Sequence, residues 1–223
     1  MFMLKQIENY IFDLDGTLIN SSNEIIKCLK QAFNKANINI DEKKLTSDII
    51  GPPIHQIIES ISDNVDENSL KKIIKNFRHI YDYDAEDSSF LYEGVLKELI
   101  FFKTSGKRLF IATFKPHIPT MRLMYLLNLN MFETAYTIDY PKNFSNKTEI
   151  VNTLISKYKL DKNKTVMIGD ASSDMIAAKE NGILGIGALW GYGSDKSLLK
   201  EHADLVINKI EDLKWLKLNY QII

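Results

Sequence analysis

The sequence predicts an α/β fold: a parallel sheet covered by helices on both faces, interrupted after its first strand by a helical insertion. Three observations carry this. Short apolar, β-rich runs alternate with helical patterns over residues 89–223, and strands alternating with helices form parallel sheets buried on both sides. Residues 20–88 show helical spacing and no strand pattern. Several apolar runs end in polar, ligand-type side chains, and open parallel sheets bind ligands at the carboxyl ends of their strands.

Residues 7–12 are an apolar run of strand length, followed by Asp13-Leu14-Asp15-Gly16-Thr17. Ser21 and Ser22 can cap a helix with apolar positions Ile25, Ile26, Leu29, Phe33 and Ala36. Residues 48–53 break that pattern; a second helix then carries Ile54, Ile57, Ile58 and Ile61, and a third carries Leu70, Ile73, Ile74, Phe77 and Tyr81. Residues 20–88 therefore read as a helical domain inserted into a core made of 1–19 and 89–223. A helix over 94–103 is closed by Gly106, a strand follows over 108–113, and a helix with an early proline over 116–127. The remainder is a short strand at 134–138, a helix at 147–158, a strand at 165–169, a helix at 172–181 ended by Gly182, and short strands at 183–187 and 204–207.

The 223 residues suffice for one large or two small domains, and 45% apolar and 26% charged residues are ordinary for a globular chain. A net charge of −1, from 28 basic and 29 acidic residues, leaves no basic excess for nucleic acid. Cys28 is the single cysteine, so no intrachain disulfide exists and a reducing, cytoplasmic compartment is expected. Its place on the first amphipathic helix suits a buried, inert thiol. No run reaches the length of a bilayer span, and the N-terminus shows no leader pattern. The expected partner is a small molecule rather than nucleic acid or membrane, with the chain a monomer or a dimer.

Side chains two apart on an extended chain point the same way, so Asp13 and Asp15 share a small space. Each raises the cost of ionising the other. A divalent cation removes that cost, and hard oxygen ligands suit Mg²⁺. Gly16 permits a sharp turn and Thr17 offers a hydroxyl. An acidic turn is the plainer reading of these five residues alone. The other strand ends argue against it. Strand 108–113 ends at Thr113 with Lys115 just beyond, strand 165–169 ends at Gly169-Asp170 with Asp174 four residues on, and Lys147 opens a helix in the same layer. Three strands deliver polar groups to one edge, which unrelated loop residues do not explain.

In these motifs the chain resembles the haloacid dehalogenase superfamily of phosphatases. Asp13-Leu14-Asp15-Gly16-Thr17 matches its first motif residue for residue and Thr113 matches the second. Lys147, in Asn146-Lys147-Thr148-Glu149-Ile150, suits the third, although Lys142 lies nearby. Gly169-Asp170-Ala171-Ser172-Ser173-Asp174 matches the fourth. The resemblance spans the chain and implies a Rossmann-like parallel sheet core with an α-helical cap domain. Gly51-Pro52-Pro53 and the run from Gly185 to Gly193 resemble the phosphoglycolate phosphatase-like branch. Phe114 and Ala171 depart from it, standing where that branch often has a small polar residue and an arginine.

The resemblance implies Mg²⁺-dependent hydrolysis of a small phosphorylated metabolite through an aspartyl phosphate. Asp13 would attack phosphorus; Asp15 would protonate the leaving oxygen and then activate water. Mg²⁺ would sit on Asp13, the Asp15 backbone carbonyl and Asp170, with Asp174 orienting its waters, while Thr113 and Lys147 hold the non-bridging oxygens. The cap would exclude water and read the substrate through Asn20, Pro52, His55, Phe114 and Lys115. A 5′-nucleotidase and a sugar phosphomutase would need the same groups; a catalytically silent binding protein is the alternative from another class. His79, His117 and His202 lack metal-ligand spacing, and Trp190 and Trp215 read as packing residues.

Overall fold

The computed structural model describes residues 7–51, 54–62, 65–85, 88–193 and 196–217, with the side chains of Asp48 and 215–217 set aside. The chain runs β1 (Asn9–Phe12), β2 (Ile19–Asn20), α1 (Ser22–Ala36), α2 (Ile54–Ile61), α3 (Glu67–His79), β3 (Phe90–Leu91), α4 (Val95–Thr104) and β4 (Arg108–Ala112). It continues through α5 (His117–Leu126), β5 (Thr134–Tyr136), α6 (Lys147–Tyr158), β6 (Thr165–Gly169), α7 (Ser172–Asn181), β7 (Leu184–Ala188), α8 (Lys196–His202) and β8 (Leu205–Ile207).

Six strands form one parallel sheet in the order β5-β4-β1-β6-β7-β8. β1 is central: Asn9 pairs with Arg108 on one side and with Thr165 on the other. The three middle strands are near-continuous apolar runs because helices cover both faces. Their side chains alternate between those faces. Tyr10, Phe12, Leu109, Ile111, Val166 and Ile168 pack with Leu99 and Phe102 of α4. Ile11, Phe110, Ala112 and Met167 pack with Ile150 and Leu154 of α6 and Ala177 of α7. The predicted α/β parallel fold is borne out.

Between β2 and β3 the chain is helical and has a core of its own. Ile25, Leu29, Ala32 and Phe33 line one side of α1 at helical spacing and meet Ile57, Ile58 and Ile61 of α2 and Ile73 and Phe77 of α3. α1 ends at Asn37, which takes the left-handed conformation at φ 58°. Cys28 is buried in this cluster, and burial pushes its thiol up to about 12. Arg122 of α5 ties the unit to the sheet layer: it donates to Glu24 of α1 at 2.8 Å and to the carbonyls of Tyr81 and Asp82 at 2.6 and 3.0 Å.

The structure departs from the sequence expectation in small elements. β2 and β3 pair antiparallel, Ile19 with Leu91 and Asn20 with Phe90, where no strand was expected. Two-residue strands carry no periodicity, and their partners are distant in sequence. α8 was likewise unexpected. The third helix passes into a π turn over Ile80–Asp84. No helix among the described residues is long and apolar enough to cross a membrane.

Candidate active site

β1 delivers Asp13. The ladder runs one step past the strand, with the Asp13 N–H donating to the Ile168 carbonyl at 2.9 Å. β6 delivers Asp170 from the neighbouring strand. Its Oδ1 accepts from the Thr17 hydroxyl at 3.0 Å and its Oδ2 from the Gly193 N–H at 2.8 Å. Asp174, in the first turn of α7, is fully buried and accepts from the Ala171 N–H at 3.1 Å. This is half of a capping box, since alanine has no oxygen to return. Lys147 is the first residue of α6, held there by Asn146, whose side chain accepts from Glu149 N–H at 2.9 Å. The Lys147 ammonium lies 3.0 Å from Asp13 Oδ1 and 2.5 Å from Asp174 Oδ1.

The loop after β1 presses against Asp170. Gly16 has φ +77°, and a Cβ there would lie 2.1 Å from Asp170 Oδ2. Only glycine combines that conformation with that approach. A Cβ at Gly193 would lie 2.1 Å from the Asp170 carbonyl oxygen. The carboxylate is thus clasped between two glycine-bearing loops.

Carboxyl oxygens of Asp13, Asp170 and Asp174 come within 4.8 Å of one another, and all three residues are buried. Burial pushes the Asp13 carboxyl up to about 7; Asp174 and Asp170 add to the rise and Lys147 opposes it. Burial likewise pushes Asp170 to about 7, reinforced by Asp174 and opposed by its bonds from Gly193 and Thr17. Burial alone would depress the Lys147 ammonium, but Asp13 and Asp174 together hold it above the usual lysine range. Asp13 Oδ1 is buried and accepts no well-directed hydrogen bond, even from Lys147 beside it. Three buried carboxylates against one ammonium leave the cluster short of positive charge. An all-oxygen donor set of this kind, short of positive charge even with Lys147 beside it, fits a hard divalent cation such as Mg²⁺.

Asp15 is not part of that group. The chain turns at Gly16, and each carboxylate of the pair faces its own ammonium. Lys115 Nζ lies 3.0 Å from both Asp15 oxygens, and Ser21 donates to Asp15 Oδ1 at 2.5 Å. The Ser21 hydroxyl also shares a hydrogen bond with Tyr192 OH at 2.9 Å. The Lys115 side chain is 2% exposed. Its ammonium bonds the Tyr81 hydroxyl and stands 4.4 Å from the centre of that ring. Tyr81 belongs to the helical unit, so the helices reach Asp15 through Lys115.

A cavity of about 330 Å³ opens on these groups, lined by Asp13, Asp15, Thr113, Phe114, Lys115, Lys147, Asp170 and His55 among others. Asp174 lies behind it. Thr113 Oγ1 accepts from the Lys115 N–H at 3.1 Å. Phe114 is half-buried against the α6 cluster, and the Lys147 ammonium is 5.1 Å from its ring centre. Asn20 is elsewhere: it lines a neighbouring cavity with Tyr92 and Trp190. Its Oδ1 accepts from Ser22 N–H and hydroxyl at 3.1 and 2.6 Å, so Asn20 secures the start of α1. Ser21 makes no capping bond; its hydroxyl is spent on Asp15. Trp190 is half-buried on the core and donates to the Thr17 carbonyl at 3.0 Å. Pro52 lies outside the described residues. Ser21, Tyr81, Tyr192 and Gly193 were not singled out for the site. Tyr81 reads as a core position and is one, but its hydroxyl is the working end; Tyr192 and Gly193 sit in a loop without periodic signal.

Residues 10–188 match the haloacid dehalogenase-like hydrolase family, and the chain belongs to that family. It is 27% identical over 184 residues to tyrosine-protein kinase PtkA of Mycobacterium tuberculosis, covering 82% of this chain. The chain spans 62% of the length of that relative. It is 26% identical over 211 residues to pyrophosphatase PpaX of Bacillus pumilus, covering 93% of this chain and 94% of the pyrophosphatase. The crystal structure of a Clostridium difficile protein described as a candidate phosphatase superposes with a TM-score of 0.85 at 27% identity, covering 96% of this chain and 100% of that one. The family resemblance carried by the motifs is therefore borne out.

Proposed function

We propose that the protein is a Mg²⁺-dependent phosphomonoester hydrolase acting on a small phosphorylated metabolite, with Asp13 as its nucleophile. The observation that carries this is the Asp13 carboxylate itself: on the cavity wall at the end of the central strand, with Oδ1 lacking a directed hydrogen bond, beside Asp170, Asp174 and Lys147. The similarity to a pyrophosphatase and to a structure described as a candidate phosphatase supports the reaction class.

Asp13, Asp170 and the Asp15 carbonyl would hold Mg²⁺, whose charge lowers the repulsion between an attacking carboxylate and a phosphate. Lys147 keeps Asp13 oriented and meets the phosphate oxygens together with the Thr113 hydroxyl. Asp13 attacks phosphorus and becomes an aspartyl phosphate as the ester oxygen departs. Asp15 enters the cycle in its acid form, gives that oxygen its proton, then regains one from the water that cleaves the acyl phosphate and restores Asp13. Lys115 and Ser21 fix the Asp15 carboxylate for both transfers. The helical unit excludes bulk water.

p-Nitrophenyl phosphate assayed with Mg²⁺ and with EDTA tests the reaction. Hydrolysis lost in EDTA and restored by Mg²⁺ is expected; no turnover of any phosphomonoester under either condition would overturn the proposal. Asp170→Ala should raise the Mg²⁺ concentration for half-maximal rate and lower the maximal rate, because a direct ligand is gone. A Mg²⁺ titration that superimposes on wild type removes Asp170 from the ligand set.

Lys115→Met should act through Asp15. With its ammonium gone, Asp15 loses its orientation, and alkyl phosphates should slow by about 10²-fold or more. In kcat/KM, which reads only the steps up to phosphorylation of Asp13, p-nitrophenyl phosphate should slow far less, since nitrophenolate departs without a proton; kcat should fall for both, because water attack on the aspartyl phosphate needs Asp15 whatever the ester. Equal losses in kcat/KM on both substrates would show that Lys115 does not serve the proton transfer to the leaving group.

A further inference from the structure

Resting on the phosphatase reading above, we infer that Arg78 selects the substrate: its guanidinium receives a second anion, a carboxylate or a phosphate, carried by the leaving group.

Among the described residues, three lysine or arginine side chains line the cavity: Lys115, Lys147 and Arg78. The two lysines come from the sheet layer and are already balanced. Lys147 contacts Asp13 and Asp174. Lys115 bonds both oxygens of Asp15 and the Tyr81 hydroxyl. Arg78 comes from α3 of the helical unit and is half-buried. Among the described residues it has neither an ion pair nor a hydrogen bond. Asp82, one turn further along, feels its charge, but Asp82 Oδ1 is buried and accepts no hydrogen bond. The carboxylates of the cavity, Asp13, Asp15 and Asp170, all belong to the sheet side. Arg78 is thus a fork of donors without an acceptor of its own.

The surroundings of Arg78 strengthen its charge. Ile50, Ile54, Ile57 and Phe77 line the cavity from the same unit and belong to its apolar cluster. Apolar walls lower the local dielectric, so an anion meeting the guanidinium there is held more tightly than in water. Arginine also matches a carboxylate or a phosphate with two parallel N–H donors.

The place of Arg78 on its helix decides which part of the substrate it meets. Residues three apart on a helix are neighbours, and Arg78 precedes Tyr81 by three. Tyr81 bonds Lys115, and Lys115 holds Asp15, the donor of the leaving group's proton. The phosphate belongs at the other end, with Asp13 and Lys147. Arg78 therefore faces the leaving group and not the phosphorus. At about 330 Å³ the cavity lies at the lower end of ligand pockets, so that group is compact.

The test compares kcat/KM in Mg²⁺ for pairs of phosphomonoesters. They are 2-phosphoglycolate with 2-hydroxyethyl phosphate, 3-phosphoglycerate with glycerol 3-phosphate, and propane-1,3-diol bisphosphate with 3-hydroxypropyl phosphate. Each pair sets an anion against a neutral hydroxyl on the same primary ester, so the ratio reads the anion rather than the departure of the leaving group. The charged member should be favoured by about tenfold or more in at least one pair, the scale of one charge-assisted contact. The pair that shows it tells carboxylate from phosphate and short from long. Arg78→Met keeps the apolar stem and should bring that ratio to within about twofold of one, through KM. Arg78→Lys, which keeps the charge without the fork, should fall between. A packing role would slow both members alike and leave the ratio as it was. No pair favouring its charged member, a preference that survives Arg78→Met, or Arg78→Lys no better than Arg78→Met overturns the inference while hydrolysis of p-nitrophenyl phosphate stands. Failure of every ester, p-nitrophenyl phosphate included, overturns the phosphatase reading itself.

Discussion

Asp13→Asn should abolish turnover, by on the order of 10⁴–10⁶-fold as for loss of a covalent nucleophile, and should stabilise the metal-free chain. The two effects share one cause. Burial holds the Asp13 carboxyl near 7, against an ordinary value of 3.8. As pH rises from about 4, the unfolded chain releases a proton that the fold retains, so folding loses stability. The loss grows until the pH passes about 7 and is constant above it. Asparagine has the same shape and no proton to lose, so this contribution disappears; Asp170, also held near 7, keeps its own. Melting curves in EDTA from pH 4 to 8 should show wild type falling towards neutrality and the variant falling less. Parallel curves, or near-wild-type hydrolysis by the folded variant, would remove Asp13 from its role.

Lys147→Ala should be the most destabilising single change in the site. It leaves Asp13, Asp170 and Asp174 buried without the ammonium that now contacts two of them. Breaking a buried ion pair from one side costs about 3–5 kcal/mol, or about 6–20 °C in melting temperature for a chain of this size. Mg²⁺ should return part of that loss by supplying charge to the same carboxylates. Acidification should return part as well, because protonated carboxyls need no counter-charge. An unchanged melting temperature in EDTA would mean that Lys147 does not balance the cluster.

The reach of the sequence into this structure follows the range of the signals. The central strands were legible because burial on both faces makes them apolar throughout, and the Asp-x-Asp-Gly-Thr run at 13–17 announces a strand end by chemistry alone. Gly169-Asp170 and Asp174 were legible for the same reason. Lys147 was separated from Lys142 only by its place at a helix start. Illegible were contacts between residues far apart that no local pattern links: β2 with β3, Lys115 with Tyr81, Ser21 with Tyr192. Ser21 shows the limit well. A serine before an amphipathic helix is a sound cap, and Asn20 has that task because the Ser21 hydroxyl is taken by Asp15.

The position of β1 has a consequence for how the molecule comes into being. The strand that carries Asp13 is made first, yet both of its neighbours are made late: Asn9 waits for Arg108, about a hundred residues on, and then for Thr165. The buried residues of the helical unit's cluster all lie between Ile25 and Tyr81, and only Ala85 and Tyr192 pack against it from later in the chain among the described residues. On a ribosome the buried cluster can be complete while the first strand is still without a sheet. Pairing at such separations is slow and leaves an apolar edge open meanwhile. Asp13, Lys147 and Asp170 therefore meet only once the chain has been synthesised past residue 170, and a truncated chain that has made every helix of the insertion still has no acidic cluster.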